Sequence, residues 1–277
     1  MTTRLVPGRT ASVEIALRRA RAEAQDQSIR PGRRSGRAVH LGVPALSRKL
    51  PSLVAAFALL LTLPGLAVAK TDHATLIDVH AIQISHAKPG SGTANCSNDG
   101  AAHGQFALTG WAVASSGQTA HLNLNTVPGN LNRTSVASAM QAGFSAWSGA
   151  PRITVATNGT VTKYTANHSY DLLFARTGGG SIAVTYTWQW SDGSIESDTV
   201  FNNRLPWAII NATADGCNEA VAAYDVANIA THEFGHTYGL DHASSDRFET
   251  MYPYGYTGET LKRTPANGDQ AGINAVY

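Results

Sequence analysis

A chain of 277 residues, 43% hydrophobic and only 14% charged, can bury a sizeable core and is too apolar to be disordered throughout. Its formal net charge of +2 hides an asymmetry: eleven of the 21 Lys and Arg fall within residues 1–69 beside three acids, leaving 10 basic against 16 acidic residues, a net of −6. No basic surface for nucleic acid survives that division, so no nucleic-acid partner is expected.

Residues 1–42 are rich in Arg and Ala without apolar periodicity, and a translation start near Val43 fits them as well. Arg48 and Lys49 precede the longest apolar stretch, residues 50–69, which ends Ala67-Val68-Ala69, a small-x-small cleavage pattern. A membrane anchor is the competing reading. Its apolar centre, residues 53–63, is short for a bilayer, and Pro64-Gly65 interrupts it. Residues 1–69 are therefore read as an N-terminal extension plus secretory signal peptide. The product would be secreted, with no stable membrane insertion after cleavage. Residues 70–95 read as a linker or short propeptide, with a Pro89-Gly90-Ser91-Gly92 loop signature in its second half. The folded domain is placed at 96–277 and expected to be monomeric.

The two cysteines, Cys96 and Cys217, are expected to pair in an oxidising compartment. Closing so long a loop is worth about 4–5 kcal/mol in the chain-entropy view.

Within the domain, residues 121–125 (HLNLN) alternate as a short strand. Thr134 or Ser135 can cap a helix through Trp147, with Val136, Met140, Phe144 and Trp147 as its apolar stripe. Residues 152–156 and 170–175 read as strands. Residues 181–190 (SIAVTYTWQW), β-branched and aromatic, form a longer one, with a return over 195–201. An Ala-rich helix follows over 221–238, ended by Gly239, and a last helix covers 268–277. Strands first, then a central and a terminal helix, indicate an α/β or α+β domain.

The run His232-Glu233-Phe234-Gly235-His236-Thr237-Tyr238-Gly239-Leu240-Asp241-His242 carries the chemistry. Two histidines four residues apart share one helix face and can grip one ion. Gly239 can take the positive φ that turns the chain and returns His242 to that ion. Three imidazoles with a fourth position left for water make a catalytic zinc arrangement rather than a closed structural one. Glu233, beside the first ligand, is placed to act as general base. The histidines at 73, 80, 86, 103, 121 and 168 lack ligand spacing and are read as surface or loop residues.

This run resembles the metzincin consensus HExxHxxGxxH, and within that group the matrixins most closely. Glu249-Thr250-Met251-Tyr252-Pro253 is similar to the Met-turn beneath the zinc ligands, and residues 268–277 are similar to the terminal matrixin helix. Pro253, two residues after Met251, stands where astacin-like enzymes carry a tyrosine. The resemblance implies an α+β zincin fold: a twisted mixed sheet, a long active-site helix, the Met-turn and a C-terminal helix. It also implies that Ser181, Ile182 and Ala183 form the edge strand onto which a polypeptide substrate adds antiparallel. Residues 253–256, with Pro253 and Tyr254, would wall the pocket for the side chain after the scissile bond.

Val184 and Val200 stand where matrixins place histidines of a structural zinc, so one Zn2+ is expected. Structural Ca2+ stays open: Glu196 and Asp198 are candidate ligands, read otherwise as exposed strand carboxylates. Cys96 lacks the flanking Arg and Pro of the matrixin cysteine switch. The function implied is a secreted zinc metalloendopeptidase that cleaves peptide bonds with zinc-activated water and Glu233 as general base. The alternatives are a zinc amidase for non-protein cell-wall substrates and, because Glu233 is intact, less readily an inactive binding module.

Overall fold

The computed structural model describes residues 72–85, 104–211, 216–218 and 220–277. The apolar stretch at 50–69, Cys96, His86 and His103 lie outside them. Among the described residues, no helix is long and apolar enough to cross a membrane, and no cysteine is free.

A seven-stranded mixed sheet organises the chain. Its strands are β1 (Ala74–Ile84), β3 (Gln118–Leu122), β4 (Ile153–Ala156), β5 (Tyr170–Ala175), β6 (Ser181–Trp190), β7 (Ile195–Asn202) and β11 (Tyr254–Gly255). Their spatial order is β11-β1-β6-β7-β5-β3-β4. Strands β4, β3, β5 and β7 run parallel to their neighbours, β6 is antiparallel to β7, and β1 is antiparallel to β6 but parallel to β11. Short two-residue strands β2 (Ala107–Leu108), β8 (Trp207–Ala208), β9 (Tyr224–Asp225) and β10 (Leu240–Asp241) tie loops together in pairs.

Three α-helices complete the domain: α1 (Arg133–Ser145), α2 (Val226–Thr237) and α3 (Asn267–Val276). The first begins two or three residues earlier than its sequence signals suggest, because Asn132, not Thr134 or Ser135, is the cap and accepts from the amide of Ser135 at 3.0 Å, and it ends at Ser145, short of Trp147. Val136, Met140, Phe144 and Trp147 are all buried, as their spacing requires. Gly143 lets α1 lie close against α2: a Cβ there would stand 3.1 Å from the Phe234 ring and from the Thr231 amide nitrogen. Phe144 and Phe234 stack across that contact.

The central helix is shorter than its Ala-rich approach suggests. Residues 224–225 pair with 207–208 instead of coiling, and Asp225 caps α2 by accepting from the amide of Asn228 at 2.8 Å. Arg263 grips the same carboxylate with two hydrogen bonds of 2.7 Å. Tertiary contacts override helix propensity here. Likewise β3 ends at Leu122, where residues 121–125 read as one strand: Asn123 caps a short 3-10 turn, Leu124–Thr126.

The main core lies between the sheet and helices α1 and α2. On the other face, Val184 and Val200 pack with Leu173, Tyr186 and Trp188 in a second apolar cluster. Glu196 and Asp198 are not exposed strand carboxylates. They are buried, and they accept backbone amides: Asp198 from Thr165 in the crossing loop and from Asp171 on β5, Glu196 from Asn167 and His168 in that loop.

Candidate active site

Helix α2 crosses behind β6 and carries His232, Glu233 and His236 toward one point. All three are fully buried. The chain leaves the helix through Gly239, at φ +91°, where a Cβ would collide with the Trp111 carbonyl. Only glycine fits that turn, and it returns His242 to the histidines of the helix. The His232 ring centroid lies 4.9 Å from that of His236 and 5.3 Å from that of His242.

The ring nitrogens have distinct tasks. His232 Nδ1 donates to the Thr250 carbonyl at 2.6 Å, and His236 Nδ1 donates to the Leu240 carbonyl at 2.8 Å. A carbonyl only accepts, so the proton sits on Nδ1 and each Nε2 keeps its lone pair. His232 Nε2 is buried with no hydrogen-bond partner. The Nε2 atoms of His236 and His242 stand 3.2 Å apart. Two nitrogens on one tetrahedral zinc, each at about 2.0–2.1 Å, are separated by about 3.3 Å. Burial lowers the pKa of all three, that of His242 to about 3, so they stay neutral, the form a cation requires. The donor set therefore fits a zinc ion.

Glu233 lies beside this point. Burial pushes its carboxyl up to about 8, against two hydrogen bonds that favour the charged form. One comes from Thr185 Oγ1 to Oε2 at 2.6 Å, the other from the amide of Ile82 to Oε1 at 3.2 Å.

Beneath the histidines, Met251 is buried, and a Cβ on Gly235 would collide with its sulfur. The turn is held by Asp269 at the start of α3. Its carboxylate accepts from the amides of Thr250 at 2.6 Å, Met251 at 3.1 Å and Ala266 at 2.8 Å. Because the Thr250 carbonyl orients His232, Asp269 reaches that histidine through one residue. Glu249 lies against Asp269 and accepts from its amide at 3.0 Å. Burial, then the neighbouring Asp269 charge, push Glu249 up to about 7.

A raised carboxyl pKa stabilises the fold at low pH. That contribution is full below about 4.5, the unfolded value, and is lost as pH rises through about 7. Glu249→Gln should therefore show a flatter dependence of melting temperature on pH between 5 and 8 and gain on wild type as pH rises. Thermal unfolding of both chains across that range checks it; parallel curves would contradict it.

The residues of β6 and the Met-turn expected to bind substrate come together, but not as an open edge. Strand β1 covers β6, with Ile82 opposite Ala183 and Ala81 opposite Val184. The amide of Gln83 donates to the Pro253 carbonyl at 2.8 Å, and Tyr254 lies opposite Gln83. Ile182, Ile229 and Ile82 pack around Gly255. Ser181 to Ala183 are thus interior to the sheet, because residues 74–84 take the place of the expected peptide.

Sequence reasoning missed Thr185, Asp269 and His80. Of these, His80 is the largest departure from expectation. It is neither surface nor loop: its ring stacks on His236 with centroids 4.2 Å apart, and the ligand atoms of His80, His236 and His242 all lie within 4.8 Å of one another. The cluster within that limit contains His80 rather than His232. The orphaned Nε2 and the ring distances nonetheless keep His232 at the same centre.

Comparison with known proteins agrees with this geometry. Matrix metalloproteinase-16 of Rattus norvegicus and of Homo sapiens are each 33% identical to the chain over 99 residues, 36% of this chain. That stretch spans 14% of the length of those relatives. The family model described as Matrixin matches residues 115–277, more than half of the chain and all of the site except β1. The chain belongs to the matrixins, a family of zinc-dependent metallopeptidases.

Proposed function

We propose that this chain is a secreted zinc endopeptidase in which His232, His236 and His242 hold one zinc and Glu233 is the general base. One observation carries the reading. Beside the three histidines, Glu233 Oε1 lies 3.2 Å from a backbone amide of an extended strand that runs antiparallel to β6. A base at an amide nitrogen is placed to pass a proton to a leaving amine. Bound there, zinc supplies polarisation of the scissile carbonyl and a lowered pKa for water.

The chain's own residues do the rest. Ile182 and Ala183 on β6, with the Pro253 carbonyl and Tyr254 opposite, align a polypeptide by backbone hydrogen bonds. Glu233 takes the proton of the attacking water and delivers it to the departing nitrogen. Thr185 holds the second carboxylate oxygen so that the first faces the bond. A cleft lined by strand-pairing groups suits an extended polypeptide better than a cell-wall cross-link.

The wider organisation proposed is a signal within 1–69, a short propeptide in 70–95 and a monomeric catalytic domain at 96–277. Its Cys96–Cys217 bridge should be recovered by peptide mapping without reductant. The function is tested on purified chain by elemental analysis and casein cleavage. About one zinc per chain is expected, as one three-histidine site implies. A chelator should abolish cleavage and added zinc should restore it; cleavage that persists after zinc is removed would contradict the reading.

A further inference from the structure

We infer that residues 74–84 are an internal plug of the active-site cleft and that His80 supplies a fourth imidazole to its metal. The inference rests on the metallopeptidase reading of that cleft and concerns how the site is kept closed.

Three independent contacts carry it. The first is polarity. Strand β1 runs antiparallel to β6 and parallel to β11, so it is hydrogen-bonded on both sides like a peptide laid between two walls. The amides of Gln83, Ile84 and Ser85 donate to the carbonyls of Pro253, Gly180 and Gly255 at 2.8, 3.1 and 3.1 Å.

The second is the side chain after the Ala81–Ile82 bond. Ile82 is fully buried. It packs with Ile182 and Ile229 over Gly255, where an added Cβ would come within 3.2 Å of its Cδ1. The amide of Ile82 is the group hydrogen-bonded to Glu233, so the strand engages the base as well as the pocket.

The third is His80. Two residues before Ile82, its ring lies flat on His236, with an interplanar angle of 10°, and meets His242 edge-on at 5.6 Å. Its side chain is 12% exposed, and Asp78 and Asp241 flank it, at 2.9 Å and 3.5 Å from its ring nitrogens. Three histidines would leave a zinc one open position, and His80, whose ligand atom lies within 4.8 Å of those of His236 and His242, would fill it. A zinc site with four protein ligands is closed. The plug thus takes the substrate's backbone pairing, the apolar pocket and the place of water together.

The test uses the full chain with cobalt(II) in place of zinc, whose visible spectrum reports ligand exchange. Wild type is compared with His80→Ala and with His80→Phe, which keeps a flat ring against His236 but has no lone pair. Both variants should retain about one metal per chain, as three remaining imidazoles suffice. Both should show a cobalt spectrum distinct from wild type. With zinc restored, both should cleave casein at least about tenfold faster, because apparent activity scales with the fraction of open cleft. Unchanged spectra in both variants would overturn the inference, even where every chain cleaves casein. Changed spectra with no cleavage by any chain would support His80 as a ligand and contradict the peptidase reading instead.

Discussion

Glu233→Ala is expected to keep zinc and fold while losing about 10²–10⁴-fold in hydrolysis, the usual contribution of a general base. None of the three histidines bonds to this carboxylate. Its partners are the amide of Ile82 and the hydroxyl of Thr185, which also reaches the Thr199 hydroxyl at 3.2 Å and the Glu233 carbonyl at 3.3 Å. Thr185 therefore remains satisfied in the variant. His236→Ala, made together with His80→Ala, removes ligands instead and leaves only His232 and His242 at the site. Two imidazoles leave the ion under-coordinated, so zinc and hydrolysis should disappear together. Zinc content, circular dichroism and casein cleavage separate the outcomes. Wild-type turnover by Glu233→Ala, or full zinc retention by the double variant His80→Ala/His236→Ala, would contradict the assignment.

Asp269→Ala should have the largest effect on stability. Its carboxylate, fully buried, serves the amides of Ala266, Thr250 and Met251. Alanine leaves three buried donors without acceptors, each costing about 1–3 kcal/mol, and a loss of about 3–5 kcal/mol is expected after relief of repulsion with Glu249. The effect should reach the metal, because the turn that carries the Thr250 carbonyl loses its anchor, and that carbonyl orients His232. Urea unfolding and zinc retention measure the two consequences. Asp269→Asn, which keeps one acceptor oxygen, should lose less of each. A loss below about 1 kcal/mol for Asp269→Ala, the size of an ordinary surface change, would contradict the role given to this carboxylate.

What was legible in the sequence was local. Histidine spacing on a helix, a glycine that must turn, and the β-branched and aromatic run of 181–190 are set within a few residues, and strands β5 and β6 have the bounds read for them. The Met-turn was legible only through family resemblance. What escaped was long-range. Thr185 meets a carboxylate 48 residues away, and Asp269 holds a turn 18 or 19 residues before it. The burial of Glu196 and Asp198 depends on amides of another loop, which strand alternation does not reveal.

Strand β1 was missed for a physical reason. Its pairing with β6 shifts register between Leu76 and Asp78 and again between Ile82 and Gln83, which breaks the period of two that marks a half-buried strand. The β-branched content of residues 75–84 was the remaining signal. His80 followed β1 into obscurity, since no ligand spacing ties it to residues more than 150 positions away.

The central claim is that one zinc is gripped by His232, His236 and His242. Anomalous diffraction from crystals of the purified chain, collected on both sides of the zinc absorption edge, tests it most directly. A single peak about 2.0–2.1 Å from the Nε2 atoms of all three histidines is the result expected. No peak at those nitrogens, or zinc bound instead at the buried carboxylates of Glu196 and Asp198, would contradict it.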